Sequence, residues 1–221
     1  MTQELWSAVD NYIDGQLALN DAALDASIVA NASGGLPAID ITASQGKLLQ
    51  MLARLAGARR ILEIGTLGGY STIWLARALP ADGRLISLEF DPSHAAVAKS
   101  NIERAGLSAI VDVRIGAALD SLPIIASQNE GPFDLCFIDA DKVNNPSYLE
   151  WAIKLSRKGS VIIVDNVVRG GGLADASSND EAIVASRKVV EMIGRDPRLE
   201  GTVMQTVGTK GYDGFAVAMV V

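Results

Sequence analysis

The sequence predicts an α/β protein built on a doubly wound, mostly parallel sheet of seven strands. From Arg60 onward, short apolar runs alternate with helical segments, which is typical of a parallel sheet with helices on both faces. Several of these runs end in or beside a carboxylate, where the ligands of such sheets bind. The last two runs follow each other without a helix between them, so we expect the final strand to be antiparallel.

The predicted elements of this sheet follow one another along residues 60–221. The strands are Arg60–Ile64, Arg84–Phe90, Val111–Ile115, Phe133–Ile138, Ser160–Val164, Thr202–Thr206 and Gly214–Val220. The helices between them are Ser71–Leu79, Ser93–Ala105, Ala118–Ser127, Pro146–Leu155 and Asp180–Gly194. Only Val207–Asp213 separates the last two strands, so we expect a hairpin there.

The N-terminal part of the sequence is predicted to form helices that cover the sheet. Apolar residues recur at intervals of three and four from Leu5 to Ile28, which predicts one or two amphipathic helices over residues 1–32. Residues 31–37 break this pattern, and Thr42 caps a helix that runs to Gly57. These helices pack against the sheet or a second subunit, or they form a lid over a ligand site; packing is the commoner role of an apolar stripe. We expect one domain, with residues 1–57 as the cover and residues 60–221 as the sheet core.

Composition bounds the class of protein. The chain has 221 residues, of which 49% are hydrophobic, enough for one sizeable core. A net charge of −7 and the lack of a basic cluster argue against nucleic acid as a partner. No apolar run could cross a bilayer, and the N-terminus lacks the segments of a secretory signal. The single Cys136 fits a reducing compartment. We therefore expect a soluble cytoplasmic protein that binds neither nucleic acid nor membranes.

The stretch Ile61–Ser71 predicts a binding turn for a small molecule. It runs from a buried strand through a glycine-rich turn into a helix, whose free N–H groups then face the strand end. A dinucleotide fingerprint would need glycine at 65, 67 and 70, but Leu67 and Tyr70 occupy two of these positions. Glu63 would repel a pyrophosphate and attract an ammonium group. The turn therefore favours a cationic ligand.

Polar side chains at other strand ends indicate a nucleoside and a metal ion. Glu89 follows the second strand, where a carboxylate can accept the hydroxyls of a ribose. Asp139 follows the fourth strand, and Asp165 and Asn166 follow the fifth. If these strands are neighbours, their ends lie about 4.8 Å apart and the three oxygen donors converge. Such hard ligands suit Mg²⁺ or a similar ion. A single aspartate there is as often a helix cap, but the pair together with Asn166 and Lys142 favours a metal.

These segments resemble a known family. Residues 62–71, Leu-Glu-Ile-Gly-Thr-Leu-Gly-Gly-Tyr-Ser, resemble motif I of class I S-adenosylmethionine-dependent methyltransferases. The resemblance is in particular to the cation-dependent O-methyltransferases, which include catechol and caffeoyl-CoA O-methyltransferases. Asp139-Ala140-Asp141-Lys142 followed by Tyr148 is similar to their Asp-Ala-Asp-Lys segment, and Asp165-Asn166 is similar to their second metal segment. The similarity extends from about residue 39 to the C-terminus.

The resemblance implies a Rossmann-like methyltransferase sheet and transfer of a methyl group from S-adenosylmethionine to a hydroxyl of a vicinal aromatic diol. It implies Mg²⁺ or another divalent cation held by Asp139, Asp165 and Asn166, with Lys142 as the general base, and it implies a homodimer. The residues that would contact the methyl donor are Ile41, Glu63, Gly65, Thr66, Leu67, Gly69, Tyr70, Ser71, Glu89, Phe90, Ala117, Ala118 and Asp139.

Two positions depart from the family pattern beside the expected acceptor pocket. Asn145 stands where a tyrosine is usual, and Arg169 where a tryptophan is frequent. These departures leave open whether the acceptor is a catechol, a hydroxycinnamoyl thioester or a flavonoid.

Three alternative functions remain: a metal-independent methyltransferase, an NAD-dependent oxidoreductase and a non-catalytic metal- or nucleoside-binding module. We interpret His94, the only histidine, as structural or solvent-facing, and Cys136 as a small buried apolar residue.

Overall fold

The computed structural model describes residues 2–17 and 19–221, so residues 1 and 18 of the predicted N-terminal helices lie outside the described residues. The helices within these ranges are α1 Gln3–Leu17, α2 Ala22–Ser33, α3 Ala43–Leu55, α4 Tyr70–Ala76, α5 Pro92–Arg104, α6 Ala118–Ser127, α7 Asn145–Lys154 and α8 Glu181–Arg195. The strands are β1 Arg60–Ile64, β2 Arg84–Glu89, β3 Val111–Ile115, β4 Phe133–Ile138, β5 Ser156–Val164, β6 Leu199–Gly208 and β7 Gly211–Val220. Short 3₁₀ segments cover Lys142–Asn144 and Arg169–Ala174.

The strands form one sheet in the order β3-β2-β1-β4-β5-β7-β6. The first five strands are parallel, whereas β7 is antiparallel to both β5 and β6. The strand order reverses between β1 and β4, which is where ligands bind in open sheets of this kind. The predicted fold class, with its antiparallel last strand, is confirmed.

Five strand boundaries differ from the prediction, four of them in β5, β6 and β7 and one at the end of β2, which stops at Glu89. β5 begins at Ser156 rather than Ser160, because its first residue pairs with Phe133 of β4. β6 and β7 pair along their whole length up to Gly208 opposite Gly211, so the predicted loop Val207–Asp213 is a two-residue turn. Most residues of β6 are exposed at the edge of the sheet, so the apolar pattern marks only part of this strand.

Alternate side chains of the central strands fill a core on each face of the sheet. Leu62 and Cys136 point to the face covered by α6, α7 and α8, and Ile61 and Phe137 to the face covered by α2, α3 and α4. Cys136 is fully buried, as predicted, and burial raises the pKa of its thiol to about 12. None of the helices in the described ranges is long and apolar enough to cross a membrane.

The N-terminal helices differ in how they are attached. α3 lies against α4 so closely that a Cβ on Gly46 would be 2.3 Å from the Trp74 ring. α1 is held by polar contacts to the β6–β7 turn, where Gln3 donates to the carbonyl of Gly208 at 2.8 Å and Asp10 accepts from Thr209 N at 2.7 Å. The segment between α2 and α3 reaches the cavity described below. The N-terminal part therefore both packs on the sheet and contributes to the site.

Candidate active site

A cavity of about 750 Å³ lies beyond the carboxyl ends of the parallel strands. Its walls come from the turns after β1, β2, β3, β4 and β5 and from the segment between α2 and α3. Thirteen of the predicted site residues line it, namely Ile41, Gly65, Thr66, Leu67, Tyr70, Ser71, Glu89, Phe90, Ala117, Ala118, Asp139, Lys142 and Asn166. Parallel strands bring their ends to one edge of a sheet, which explains why residues so far apart in sequence meet here.

The turn between β1 and α4 is built on glycine. Gly65 has a φ of +97°, and a Cβ there would lie 2.2 Å from the carbonyl oxygen of Asp139. Gly69, with a φ of +83°, stands at the N-cap of α4. Residues other than glycine rarely adopt such φ values. The first turn of a helix leaves its backbone N–H groups free to bind a ligand. Gly65 therefore joins this turn directly to the end of β4.

Glu63 lies beneath this turn and does not line the cavity. Its carboxylate accepts hydrogen bonds from Ser71 Oγ at 2.6 Å, Thr72 Oγ1 at 2.5 Å and Ser87 Oγ at 2.6 Å. The side chain is fully buried, and burial raises its pKa to about 7. The expected contact between Glu63 and an ammonium group stays a prediction. Glu63 fixes Ser71, which does line the cavity.

Gly69 also lies behind the cavity wall. Its Cα packs on α5, where an added Cβ would be 3.4 Å from Ala98. Its predicted contact with the methyl donor stays a prediction.

Glu89 holds the same turn from the second strand. Its Oε2 accepts from the backbone N–H groups of Thr66 at 3.1 Å and Leu67 at 2.8 Å, and its Oε1 accepts from Asp91 N at 2.9 Å. His94 Nδ1 is 3.6 Å from Glu89 Oε1, and His94 lines the cavity. From the sequence we interpret His94 as structural or solvent-facing; its imidazole lies between Glu89 and the cavity, because the first turn of α5 faces the end of β2.

Lys142 and Asp139 form an ion pair in the opposite part of the cavity. Lys142 Nζ donates to Asp139 Oδ1 at 2.5 Å. Asp141, two residues on, accepts from Tyr148 Oη at 2.6 Å and from Asn144 Nδ2 at 2.6 Å. Burial, reinforced by Asp141, raises the pKa of Tyr148. The 3₁₀ segment after β4 thus presents an amine at the cavity wall while Asp141 is held by its own donors.

Asp165 lies next to this pair but behind the wall, with 4% of its surface exposed. Its backbone N–H donates to the carbonyl of Ile138 at 2.9 Å, which continues the pairing of β4 and β5. Its Oδ2 accepts from Gln45 Nε2 at 2.8 Å and its Oδ1 from Asn166 N at 2.9 Å. Burial, and then the charge of Asp139, raises the pKa of Asp165 to about 7.

The three predicted metal ligands follow two neighbouring strands, β4 and β5. Two carboxylates close enough to raise a pKa repel each other, and a cation between them would relieve that repulsion. Asn166, at a φ of +56°, lines the cavity, and its amide has no hydrogen-bond partner in the part of the chain that the structure describes. Among those residues there is no cluster of three or more His, Cys, Asp or Glu side chains. The predicted set is two carboxylates and an amide, which are oxygen donors of the kind that Mg²⁺ takes.

Comparison with known proteins agrees with this geometry. A family model described as O-methyltransferase matches residues 21–217. A catechol O-methyltransferase of Niastella koreensis is 49% identical over 220 residues, covering 100% of each chain. A catechol O-methyltransferase of Mycobacterium tuberculosis is 53% identical, over 96% of this chain and 94% of the relative. An O-methyltransferase from Bacillus cereus, solved in complex with SAH, is 54% identical over 100% of both chains, with a TM-score of 0.98.

The chain belongs to the O-methyltransferase family. Both the predicted family and the predicted enzyme class, a transferase of methyl groups to oxygen, are confirmed.

Sequence reasoning missed several residues of this O-methyltransferase site. Gln45 reaches Asp165 from α3, and the segment before α3 lines the cavity through Pro37, Ile39 and Asp40. Asp40 accepts from Asn31 Nδ2 at 2.8 Å, which ties the segment to α2. Gln45 follows the capping residue Thr42 by three positions, but no local pattern shows that a glutamine there meets a strand end 120 residues later.

The two departures from the family pattern lie in different places. Arg169 lines the cavity, as expected for a residue beside the acceptor. Asn145 does not; it is fully buried at the start of α7, and within the described ranges its amide has no hydrogen-bond partner. Of the two positions, Arg169 is the one placed to meet an acceptor.

Proposed function

We propose that this O-methyltransferase moves the methyl group of S-adenosylmethionine to one hydroxyl of a vicinal aromatic diol and depends on a divalent cation, Mg²⁺ or a similar ion. The observation that carries the proposal is the Lys142–Asp139 pair at 2.5 Å, in one cavity with Asn166 and the glycine turn after β1. Two relatives at about half identity are named catechol O-methyltransferases, which supports a diol acceptor.

The donor half of the proposal assigns S-adenosylmethionine to the ends of β1, β2 and β3. The Bacillus cereus relative, solved with SAH, supports this cofactor. Ser71 and the N–H groups at the start of α4 would bind its amino-acid part. Glu89, which has a free position on Oε1, would accept a ribose hydroxyl, and Ala117 and Ala118 leave room for the base. Glu63 would act through Ser71.

The acceptor half assigns the metal to Asp139, Asp165 and Asn166 and the proton to Lys142. When bound, the divalent cation would chelate both diol oxygens and lower the pKa of the hydroxyl that reacts. Lys142 Nζ would take the proton of that hydroxyl as a neutral amine, the form that the charge of a bound cation favours over the ammonium group that pairs with Asp139. The acceptor oxygen then forms its bond to the methyl carbon as the carbon–sulfur bond breaks. Fixing the two reactants in line supplies the rest of the acceleration.

Chelation tests the metal directly. Purified protein treated with EDTA is expected to give no methylated catechol from labelled S-adenosylmethionine, and added Mg²⁺ is expected to restore the product. Activity that persists after exhaustive chelation would establish the metal-independent methyltransferase instead.

A thermal melt tests the cofactor. S-adenosylhomocysteine is expected to raise the Tm and NAD is not, since a ligand stabilises only a fold that binds it. The reverse result would favour the oxidoreductase.

We also propose that the chain forms one domain, residues 1–221, and works as a homodimer in the cytoplasm. The cover helices α1 and α3 expose apolar side chains that a second subunit could bury, namely Leu5, Val9, Tyr12, Leu48, Met51 and Leu55. Light scattering is expected to give twice the mass of the chain. A monomer at micromolar concentration would contradict the dimer and leave the chemistry untouched.

A further inference from the structure

Arg169 occupies the acceptor side of the cavity. It follows β5 by five residues and Asn166 by three, and it lines the cavity wall. In the sheet, β1 and β4 lie between β5 and β2, so the ends of β5 and β2 are about 14 Å apart. Arg169 therefore belongs to the β5 side of the cavity, with Asn166, rather than to the β2 side, with Glu89.

The backbone of Arg169 is fixed while its side chain is free. Asp213 Oδ1 accepts from Arg169 N at 2.8 Å and from Val168 N at 3.1 Å, which anchors the start of the loop. The guanidinium has neither a hydrogen bond nor an ion pair with any residue that the structure describes. The other cation of the cavity wall, Lys142, is already paired with Asp139.

Arg169 adopts a conformation that disfavours arginine. Its φ is +54°, in the left-handed region that glycine and asparagine adopt readily. For a residue with a long side chain, this backbone conformation costs about 1 kcal/mol. The next two residues, Gly170 and Gly171, share the left-handed region. An arginine at such a position, with an exposed side chain that has no protein partner, points to a use for the side chain rather than for the turn.

Two carboxylates in the same part of the cavity wall as Arg169 already accept hydrogen bonds from the protein. Asp40 accepts from Asn31, and Asp141 accepts from Tyr148 and Asn144. A ligand entering this half meets two carboxylates held by protein donors and one guanidinium without a partner. Guanidinium pairs best with planar anions, carboxylates above all. Arg169 is therefore the cation of this half that is left to pair with an anionic group of a ligand.

We propose that Arg169 is a specificity-determining residue that selects diol acceptors carrying a carboxylate on the ring or on a short side chain. The inference rests on the proposed function, since it assumes that a diol binds at Asp139 and Asn166. With the diol there, the far edge of the ring points toward the cavity mouth, where Arg169 pairs with the carboxylate.

The test compares ring-matched acceptors in two enzymes. The kcat/KM is measured for 3,4-dihydroxybenzoate, its neutral amide and the cationic 3,4-dihydroxybenzylamine, with S-adenosylmethionine and Mg²⁺. In Arg169→Asn, whose side chain suits a left-handed φ, the ratio of carboxylate to amide is expected to fall about fivefold, mainly through KM. Because the ratio is compared between enzymes, the electronic effect of each substituent cancels. Arg169→Lys keeps the charge and is expected to retain part of the preference.

A second charge substitution serves as the control. Arg195, 81% exposed at the end of α8, lies outside the cavity, so Arg195→Gln is expected to leave the ratio unchanged. An equal ratio in wild type and Arg169→Asn, or an equal loss in Arg195→Gln, would overturn the inference. Calorimetric binding of the same acceptors to the protein with S-adenosylhomocysteine and Mg²⁺ gives the ratio without turnover. A preference in binding with no turnover would therefore count against the proposed function alone.

Discussion

The two halves of the cavity use their polar groups in opposite ways. In the donor half, Glu63 and Glu89 each accept three hydrogen bonds from the protein itself, and the turn between them is held in one shape. In the acceptor half, the amide of Asn166 and the guanidinium of Arg169 have no partner among the described residues. The acids of the donor half thus hold the protein's own turn in shape, whereas the acceptor half presents side chains that have no protein partner.

This difference explains why the sequence indicates the cofactor more firmly than the acceptor. The donor half is shaped by backbone, by glycine and by internal hydrogen bonds, which a motif records. The acceptor half is shaped by a few free side chains on loops, and a single exchange there changes the ligand without disturbing the fold. Four substitutions separate the halves or test how they are joined.

Lys142→Ala should have the largest effect, because it removes the proposed proton acceptor and leaves the donor half unchanged. We expect kcat to fall about 10²- to 10⁴-fold, while the Kd for S-adenosylhomocysteine stays unchanged, as measured by calorimetry. Lys154→Ala is the control, since Lys154 lies over the Trp151 ring outside the cavity. Turnover that survives in Lys142→Ala would remove this lysine as the base.

Gly65→Ala should disturb the close contact between the turn after β1, in the donor half, and the end of β4, in the acceptor half. A Cβ at this position would lie 2.2 Å from the carbonyl of Asp139, and the φ of +97° adds strain. We expect a loss of about 3 to 5 kcal/mol in the free energy of unfolding, measured by urea denaturation. Gly106→Ala carries strain without a clash, since φ is +72° and no atom lies within 4 Å, so it should cost only about 1 kcal/mol. Equal costs would show that close approach to β4 is unimportant.

The sequence predicts the sheet well because its signals are local. β1, β3 and β4 begin and end where the apolar runs do, and carboxylates mark the strand ends. Contacts across the fold are what it cannot predict. The hydrogen bond from Gln45 to Asp165 and the position of His94 beside Glu89 depend on how α3 and α5 pack. Glu63 illustrates the same limit, because the motif marks an acid there but not whether it faces the ligand or three hydroxyls.

Glu63→Gln should change the pH dependence of stability through the donor half alone. Burial raises the pKa of Glu63 from an ordinary 4.5 to about 7, so the native state keeps a proton that the unfolded chain has released. The free energy of unfolding therefore falls as pH rises from about 4.5 to about 7, by about 3 kcal/mol from this group. Urea denaturation between pH 5 and pH 8 should show a shallower fall in Glu63→Gln. The same slope in both proteins would mean that Glu63 titrates normally.

Gln45→Met should have the smallest effect and should confine it to the acceptor half. Gln45 Nε2 donates to Asp165 Oδ2 at 2.8 Å, and groups that orient a metal ligand typically affect metal affinity by tenfold or more. We expect the Kd for Mn²⁺, measured by electron paramagnetic resonance, to rise about tenfold while the Kd for S-adenosylhomocysteine is unchanged.

Gln50→Met on the same helix separates orientation from packing. Gln50 is buried, accepts from Lys47 Nζ at 3.1 Å and does not bond to Asp165. The Gln50→Met variant should have a lower Tm than wild type and the same affinity for Mn²⁺. If the two variants weaken Mn²⁺ binding equally, α3 acts only as a cover. If Gln45→Met alone does so, the N-terminal cover belongs to the acceptor half, because one of its side chains sets the orientation of a metal ligand.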